Sequence, residues 1–464
     1  MENNNKILVS MIAPIESASG YGERSRDIAR CILKSDKYDL KIWGINWGGT
    51  PYTGLNKEDP EDAKILACIL ATPDLERQPD IHIHISVPSE FQALGRFNIG
   101  ITAGIETDHV DASWLEGANR MQLLLVSSNH AMLGFTNTSY QRRDQKGNVI
   151  PNQDLVLTTP IEVLFEGLDV TTFFKTDEPN TVINSEMDNI PEDWSFLFVG
   201  HWLAGDLGQD RKDVGMLIKI FLETFKNKKK KPALIIKTSG ASTSVSDKSR
   251  LLAKIEAIRK SCPDGKDLPN IYLLHGELNR SELNSLYNHP KVKAHITFTK
   301  GEGFGRPILE ASVSGKPVIA PRHSGYLDFL EHAVWLPGRL TPIHPSAQWK
   351  GILNAGTSWF TVDYNAAGLI MKDVYEDFAK YADLGKRQAY KSNKEVTLDL
   401  MGEKLLKILE EAESKIPKPV ELKLPKLKKI ELPKLESSPS VQEIKSIEHK
   451  NLTSPVPVTN TKVE

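Results

Sequence analysis

Two glutamates, Glu302 and Glu310, are the side chains of this chain best placed to do chemistry. They lie in the segment KGEGFGRPILEASVSGKP (300–317). Glu302 belongs to a glycine-flanked turn, and Glu310 follows about one turn into a helix that Pro307 can start. Because the two carboxylates border the same loop, both can reach around one bound ligand.

The sequence around this loop predicts a strand, a glycine loop, a short helix and a second strand. AHITFT (294–299) alternates and is β-prone, whereas Gly315 and Pro317 are typical of a helix stop. Backbone N–H groups at the start of a helix favour an anionic ligand. Two carboxylates would repel a bare phosphate but suit the hydroxyl groups of a sugar. The segment therefore predicts a site for a sugar nucleotide.

The composition is that of a soluble globular protein with more than one core. A chain of 464 residues with 40% hydrophobic and 25% charged residues predicts two domains. The formal net charge of −2 neither favours nor excludes a polyanionic partner. Cys31, Cys68 and Cys262 are far apart, which fits a reducing compartment and gives no zinc-binding pattern.

The N-terminal sequence predicts a buried strand and no targeting segment. The apolar run ILVSMIAPI (7–15) is too short to span a bilayer and lacks the charged start and cleavage site of a signal peptide. We therefore expect a cytoplasmic protein.

Strands that alternate with amphipathic helices predict two doubly wound parallel sheets. The first unit begins with a strand (6–12) and a helix from about Glu23 to Ser35. The predicted organisation is an N-terminal domain (1–175) with an inserted hairpin (137–159), a linker (176–193), a C-terminal domain (194–384), charged helices (385–416) and a disordered Lys/Pro-rich tail (417–464).

A second glycine loop, SGYGERSR (19–26), ends the first strand and opens the first helix. Gly20 and Gly22 would let the backbone approach a ligand closely. Arg24 and Arg26 are spaced so that at most one can face that ligand, and the other is expected to point to water.

The segment GEGFGRPILEAxxxGKPVIA (301–320) resembles the donor-site signature of glycosyltransferase family 4. Its Glu-x7-Glu pair stands in register with Gly303, Phe304, Gly305 and Pro307. The SGYGERSR loop resembles the N-terminal glycine loop of the same enzymes. The resemblance implies a GT-B fold, in which two Rossmann-like domains face a cleft and the last helices cross back to the first domain. It also implies that Glu302 binds hydroxyls of the donor sugar and that Glu310 binds the ribose.

The segment VGHWLAGDLGQDRKDVG (199–215) resembles the part of the family that holds the donor diphosphate. Lys212 takes the place of the helix-opening lysine, and Arg211 stands beside it. A lysine there opposes the macrodipole preference for acids, which favours a ligand role. His201 stands where the family often has an arginine. Either the donor protonates His201, or Arg211 takes over that contact.

Two further segments are expected near the donor. Lys237 ends a strand from which it could reach the donor, although a lysine whose stem merely packs there would look the same. HGELNRSEL (275–283), which contains Leu278, resembles the region that contacts the base largely through its backbone.

The acceptor side is predicted at NIGITAGIETDHVDASW (98–114). Glu106 and Asp108 follow a strand that would end at the cleft, and the segment resembles an acidic region on the acceptor side of some family members. Both carboxylates are therefore candidates for binding acceptor hydroxyls, whereas His109 has the weaker claim. Solvated loop acids would give the same pattern.

The resemblance implies a retaining transfer from a nucleotide-diphosphate sugar to a hydroxyl group. Since no Asp-x-Asp triplet occurs, the sequence argues against a metal-bridged diphosphate, and no permanent cofactor is expected. Lys212, Arg211 and the amides of Gly303–Gly305 would stabilise the leaving diphosphate. The leaving phosphate itself could deprotonate the acceptor, oriented by Glu106 or Asp108.

The acceptor is left open by the sequence. A glycan or saccharide is the first expectation. The second is hydroxymethylated DNA. The segments SGYGERSR (19–26), GHWLAGDLGQDRKDVGMLIK (200–219) and ITAGIETD (101–108) resemble glycosyltransferases carried by large tailed phages, and for such a viral enzyme the expected cytoplasm is that of a host cell. For DNA, the cations to consider are Arg142, Arg143 and Lys146 of the hairpin, and the basic tail. Other GT-B enzymes, such as an epimerase or a phosphorylase, and a non-catalytic sugar-nucleotide or glycan-binding protein are further alternatives.

Overall fold

The N-terminal part of the chain, which contains strands β1–β6 and is called the first lobe here, builds a single parallel sheet from apolar strand segments. The part that contains strands β7–β12 is called the second lobe. The computed structural model describes residues 6–416 apart from 145, 152, 179, 204, 241 and 263–266. Within these residues the first sheet has six strands, in the order β2-β1-β3-β4-β5-β6. The strands are β1 (Ile7–Ala13), β2 (Tyr38–Gly44), β3 (Ile81–Ile85), β4 (Phe97–Thr102), β5 (Leu123–Val126) and β6 (Ile161–Val163).

The helices of the first lobe begin at side-chain caps. They are α1 (Gly20–Leu33), α2 (Pro60–Leu66), α3 (Ala112–Ala118) and α4 (Asn129–Thr136). The hydroxyl of Ser19 accepts a hydrogen bond of 3.1 Å from the backbone N–H of Gly22. Helix α1 therefore begins at Gly20, three residues before the predicted start, so the glycine loop forms its first turn.

The second lobe repeats the architecture. Its parallel sheet, again counted over the described residues, has six strands in the order β12-β11-β10-β7-β8-β9. They are β7 (Ser195–Val199), β8 (Ala233–Lys237), β9 (Ile271–Leu274), β10 (Val292–Ile296), β11 (Val318–Pro321) and β12 (Val334–Leu336). The strand order changes direction at β7 and β10, where ligands commonly bind in open α/β sheets.

The remaining helices pack around this sheet and return to the first lobe. They are α5 (Thr181–Asp188), α6 (Val214–Phe225), α7 (Val245–Lys260), α8 (Arg280–Asn288), α9 (Arg306–Ser312), α10 (Tyr364–Glu376), α11 (Phe378–Glu395) and α12 (Leu398–Ser414). Met401, Leu405 and Leu409 of α12 share the first core with Ile28 and Ile32 of α1. The predicted return of the C-terminal helices is confirmed.

An antiparallel hairpin, β13 (Gly338–Pro342) and β14 (Ser358–Val362), was not anticipated. It follows β12, and Phe360 of β14 donates from its backbone N–H to the carbonyl oxygen of Lys300 at 2.9 Å. The predicted insertion at 137–159 contains two antiparallel bridge pairs, Tyr140 with Leu155 and Arg143 with Val149.

Several details differ from the sequence predictions. The segment 176–193 contains helix α5, whose Ile183 and Met187 are buried in the second lobe. Arg24 and Arg26 are both buried, so the expectation that one points to water is wrong. The Arg24 guanidinium donates to the carbonyl oxygens of Leu164 and Phe165. The predicted domain boundaries stay a prediction, and the tail 417–464 lies outside the described residues. No helix within the described residues is long and apolar enough to cross a membrane.

Candidate functional site

The glycine loop between β10 and α9 lies against the first lobe. The carbonyl oxygen of Gly303 accepts hydrogen bonds from the hydroxyls of Ser127 and Ser128, at 3.1 and 2.5 Å. A Cβ atom on Gly303 would lie 2.0 Å from the carbonyl oxygen of Ala103. Glycine is required there because two backbones meet. The glycine loop therefore also forms a contact between the two lobes, through Gly303.

This contact makes Gly303→Ala a sharp test of the arrangement. The added methyl group would overlap the Ala103 carbonyl, and we expect a loss of about 1–3 kcal/mol in the free energy of unfolding. Gly49→Ala is the matched control, since a Cβ atom on Gly49 meets nothing within 4 Å. Urea denaturation measures both variants. A Gly303→Ala variant as stable as the wild type would contradict the contact.

The other loop residues have different surroundings. Gly305 has a φ angle of 99° at the start of α9, a conformation that favours glycine. The ring of Phe304 is buried, with its centroid 5.0 Å from that of Phe329. Its side chain thus belongs to the core, and a donor contact from Phe304 could come only from its backbone.

A buried ionic cluster joins the candidate donor residues. Lys212 Nζ forms a salt bridge with Glu302 Oε1, and each side chain is 10% exposed. Arg211 Nη1 lies 3.2 Å from Glu302 Oε2, and the hydroxyl of Thr299 donates to Glu302 Oε1 at 2.6 Å. The sequence predicted Lys212 and Arg211 in one segment and Glu302 in another, and the fold brings them together at the carboxyl ends of β7 and β10.

The charges of this cluster determine its protonation. Burial alone would raise the pKa of Glu302, but Lys212 and Arg211 outweigh it and lower that pKa to about 2. Burial lowers the pKa of Lys212, and Glu302 opposes that shift. Glu302 is thus a firmly ionised carboxylate between two cations, and an incoming diphosphate would compete with it for them.

The turn that presents Lys212 is held by a second buried ion pair. Lys300 Nζ lies 3.1 Å from Asp213 Oδ2, with both side chains almost fully buried. The Tyr364 hydroxyl donates to the same Asp213 oxygen at 2.7 Å. Asp213 has a φ angle of 53°, which few residues other than glycine adopt. Sequence reasoning missed this pair, although Lys300 stands just before the predicted loop.

Glu106 reaches the cluster, whereas Asp108 does not. Glu106 Oε1 lies 3.6 Å from Arg211 Nη1. Asp108 Oδ1 accepts a hydrogen bond of 2.8 Å from the backbone N–H of Ser358 in β14, and it also lies 3.1 Å from His109 Nδ1. The two predicted acceptor carboxylates therefore have different surroundings: Glu106 lies near the cation Arg211, and Asp108 is anchored to the hairpin.

His201 lies close to three cations, Lys212, Arg211 and Lys237. His201 Nδ1 is 3.1 Å from the hydroxyl of Ser239, and Lys237 Nζ donates to the carbonyl oxygen of Gly276 at 2.6 Å. The pKa of His201 is lowered to about 4 by desolvation and by the nearby cations Lys212, Arg211 and Lys237. The ring is neutral at neutral pH, which favours Arg211 as the charged partner of a diphosphate.

The N-terminal glycine loop surrounds a tyrosine that sequence reasoning missed. A Cβ atom on Gly22 would lie 2.0 Å from the Ser17 carbonyl oxygen, whereas one on Gly20 meets nothing within 4 Å. The hydroxyl of Tyr21, between them, is 2.8 Å from Thr102 Oγ1 at the end of β4. Tyr21 thus ties this loop to the strand that precedes Glu106.

Glu310 belongs to a second ionic cluster between the lobes. Arg306 Nε lies 3.3 Å from Glu310 Oε1, and Arg306 Nη2 lies 2.6 Å from Asp27 Oδ2 of helix α1. Glu166 Oε2 is 3.5 Å from Arg306 Nη1, and the Tyr287 hydroxyl donates to Glu310 at 3.3 Å. Glu310 is therefore separate from Glu302 and faces helix α1. Arg306, a charged residue between Gly305 and Pro307, was the feature of the sequence from which this cluster could have been predicted.

The two signature glutamates have opposite pKa shifts. Burial raises the pKa of Glu310 to about 7, against the effect of Arg306. Glu310 thus stabilises the fold most below its ordinary pKa of 4.5, and this contribution is lost as pH rises through 7. The lowered pKa of Glu302 gives the reverse: its contribution is present above 4.5 and is lost as pH falls towards 2.

We therefore expect different pH profiles for Glu310→Gln and Glu302→Gln. Between pH 5 and 8, the free energy of unfolding of the wild type relative to Glu310→Gln should fall with rising pH. The same difference for Glu302→Gln should stay nearly constant in this range. Urea denaturation across the range measures both, and two parallel profiles would contradict the assignment.

The segment 275–283, which was predicted to contact the base of the donor, makes few contacts with the ionic cluster. Leu278 is partly buried against the core of the second lobe. Its neighbour Glu277 accepts a hydrogen bond of 3.0 Å from the hydroxyl of Thr53 in the first lobe. Among the residues that the structure describes, no group of three or more His, Cys, Asp or Glu side chains is placed to hold a metal ion.

The comparisons with known proteins agree with this fold. The family described as "Glycosyl transferases group 1" matches residues 264–354, which include the glycine loop and α9. None of the curated proteins matches the chain in sequence.

Solved structures are similar to the chain in fold at low identity. Anabaena Alr3699/HepE in complex with UDP and glucose has a TM-score of 0.56 and 12% identity, covering 87% of this chain and 100% of that one. Sucrose-phosphate synthase from Thermosynechococcus elongatus has a TM-score of 0.58 and 11% identity, covering 88% and 100%. An E. coli structure bound with UDP-2-fluoro glucose has a TM-score of 0.53 and 10% identity, covering 88% and 99%. The predicted GT-B fold is confirmed, and residues 264–354 are similar to the family described as glycosyl transferases group 1.

Proposed function

We propose that this protein is a retaining, metal-independent glycosyltransferase that moves a sugar from a nucleotide-diphosphate sugar to an acceptor hydroxyl. The observation that carries the proposal is the Lys212–Arg211–Glu302 cluster, which is buried at the carboxyl ends of β7 and β10. The group 1 family match supports it. So do the UDP and UDP-sugar complexes among the structures of similar fold.

The donor diphosphate would be held by Lys212 and Arg211. In the structure their charges are compensated by Glu302 and, more distantly, by Glu106. A bound diphosphate would take over part of that compensation. The two cations would then stabilise the charge that develops on the leaving nucleoside diphosphate. His201, which is neutral, would donate a hydrogen bond to the same diphosphate. Lys237 would lie beside the diphosphate as a third cation.

The carboxylates would each bind a different part of the donor or the acceptor. By the family resemblance, Glu302 would bind the hydroxyls of the transferred sugar and Glu310 the ribose. Glu106 is the better candidate for orienting the acceptor hydroxyl, since it faces Arg211. The leaving phosphate oxygen would take the acceptor proton, and the acceptor oxygen would bond to the anomeric carbon as the sugar–phosphate bond breaks. Retention of configuration follows from the resemblance and is part of the proposal.

The acceptor class is proposed as a glycan or another saccharide. The alternative is hydroxymethylated DNA, for which Arg142, Arg143 and Lys146 of the 137–159 hairpin supply positive charge. A non-catalytic sugar-nucleotide or glycan-binding protein would keep the fold and the ionic cluster but release no product.

A donor and acceptor screen tests the proposal. The protein is incubated without metal with UDP-, GDP- and ADP-sugars, and nucleoside diphosphate release is followed. Each donor is tested with no acceptor, with a pool of neutral oligosaccharides and with hydroxymethylated duplex DNA. Release that rises with one acceptor supports a transferase and names both substrates. Thermal stabilisation by a nucleotide without release under any condition would favour the binding-protein alternative.

A further inference from the structure

An exposed tryptophan lies on the loop of the β13–β14 hairpin. Trp349 is 63% exposed, and it is the only exposed tryptophan in the described part of the chain. Its backbone N–H donates to the carbonyl oxygen of Leu353 at 3.0 Å, and the N–H of Leu353 donates back to the Trp349 carbonyl at 2.7 Å. The indole is thus presented to solvent from a closed turn. An exposed indole offers a ligand a large and rigid apolar face.

The turn is anchored beside the candidate acceptor loop of the first lobe. Asn354 Nδ2 donates to Asp111 Oδ2 at 2.7 Å, and Ile352 packs against the core that contains Val110 and Trp114. Asp111 caps helix α3, directly after the loop that carries Glu106 and Asp108. Trp349 is therefore held next to the acceptor side although it belongs to the second lobe.

The base of the same hairpin is attached to the donor side. The backbone N–H of Phe360 donates to the carbonyl oxygen of Lys300, two residues before Glu302. Lys300 Nζ also donates to the hydroxyl of Thr361 at 3.1 Å. Ser358, at the start of β14, pairs with Asp108. The hairpin that carries Trp349 thus contacts both the donor signature and the acceptor loop.

The charges of the hairpin argue against a cationic ligand and against a polyanion such as DNA. Residues 338–362 include two cations, Arg339 and Lys350, and no Asp or Glu. A polyanion such as DNA is bound through several phosphate contacts, for which two cations supply little. A pyranose ring, in contrast, presents a face of C–H groups that an indole can cover, while its hydroxyls stay hydrated. Aromatic rings give such contact area at a low entropic cost.

We propose that Trp349 is the stacking platform of an acceptor subsite for a neutral oligosaccharide. It would contact a sugar unit of the acceptor remote from the reacting hydroxyl and so favour chains longer than one unit. The inference rests on the proposed function, because it assigns a saccharide to the acceptor side of the same cleft. Trp349 would bind and position the acceptor without touching the reacting atoms.

The test compares Trp349→Ala and Trp349→Phe with Tyr390→Ala. Tyr390 is a 65% exposed aromatic residue on α11, away from the hairpin, and serves as the control. With an oligosaccharide acceptor, Trp349→Ala should raise the acceptor KM about tenfold. The donor KM and kcat should stay unchanged, and Trp349→Phe should restore most of the affinity. A monosaccharide acceptor should show little difference between the variants. An unchanged oligosaccharide KM in Trp349→Ala would overturn the proposal, as would a defect seen only with hydroxymethylated DNA.

A binding measurement separates this proposal from the transferase proposal. Saturation-transfer NMR with cellohexaose, maltohexaose and chitohexaose requires neither donor nor turnover. Binding by the wild type and Tyr390→Ala, and its loss in Trp349→Ala, would support the subsite even if no donor is turned over. Equal binding by Trp349→Ala and the wild type, or no binding by the wild type, would overturn the subsite even if sugar transfer is established. Unchanged thermal unfolding of the variants verifies that they are folded.

Discussion

Replacing Lys212 with methionine should lower turnover by about 10²–10³-fold while the protein remains folded. Lys212 and Glu302 form the buried centre of the candidate site, and the lysine is a close cation for a departing diphosphate. Methionine keeps the length of the apolar stem but removes the charge. The donor KM should rise less than kcat falls, because the charge on the diphosphate grows in the transition state. Steady-state kinetics with the donor identified by the screen measures both constants.

Two further variants serve as controls for the effect of Lys212→Met on turnover and stability. Lys248→Met removes an exposed lysine of α7 and should leave turnover unchanged. Lys212→Met/Glu302→Gln removes both charges of the pair and should be more stable than Lys212→Met alone, since no buried carboxylate loses its partner. Turnover of Lys212→Met within twofold of the wild type would contradict the assignment of Lys212.

Arg306→Met should lower the free energy of unfolding by about 3–5 kcal/mol, the largest stability effect that we expect. Arg306 compensates Asp27, Glu166 and Glu310, all of which are buried. Without the guanidinium, these carboxylates would face one another in a desolvated place. Burial already raises the pKa of Glu166 and Glu310, and losing the cation raises both further. The variant would therefore bind more protons when folded, and its deficit should be smaller at pH 5 than at pH 8.

Arg387→Met is the matched control for Arg306→Met. Arg387 pairs with Asp383 within helix α11 at 2.7 Å, in the same i, i+4 relation as Arg306 and Glu310, but both side chains are over 60% exposed. An exposed pair contributes only about 0.3–0.5 kcal/mol. Urea denaturation measures the free energy of unfolding of both variants. Equal losses in both would show that the interlobe cluster is not a buried network.

Much of the fold could be predicted because its signals are local. Period-2 apolar runs such as IHIHI and the capped, amphipathic α1 depend on neighbours a few residues away. Helix α5 escaped prediction because its apolar residues, Ile183 and Met187, find their partners in the second lobe. The β13–β14 hairpin escaped because its strands are separated by a long, irregular loop rather than a short turn.

The candidate site was predictable as a set of residues but not as a set of contacts. The sequence indicated Lys212 and Glu302 through separate motifs, whereas their pairing depends on how β7 and β10 lie side by side. Glu106 and Asp108 were both predicted on the acceptor side, and their contacts distinguish them, since Glu106 lies near Arg211 whereas Asp108 is bonded to the hairpin. Arg24 lies on α1 where a charged residue was expected at the surface. Its buried carbonyl partners come from residues 164 and 165, far along the chain.

The most direct measurement is the affinity of the protein for the nucleoside diphosphate of its donor. Isothermal titration would be run with UDP, GDP and ADP on the wild type and Lys212→Met, with and without a metal chelator. We predict that one nucleotide binds the wild type, that the chelator leaves Kd unchanged, and that Lys212→Met raises Kd about tenfold or more. Binding that needs a metal ion and does not depend on Lys212 would contradict it.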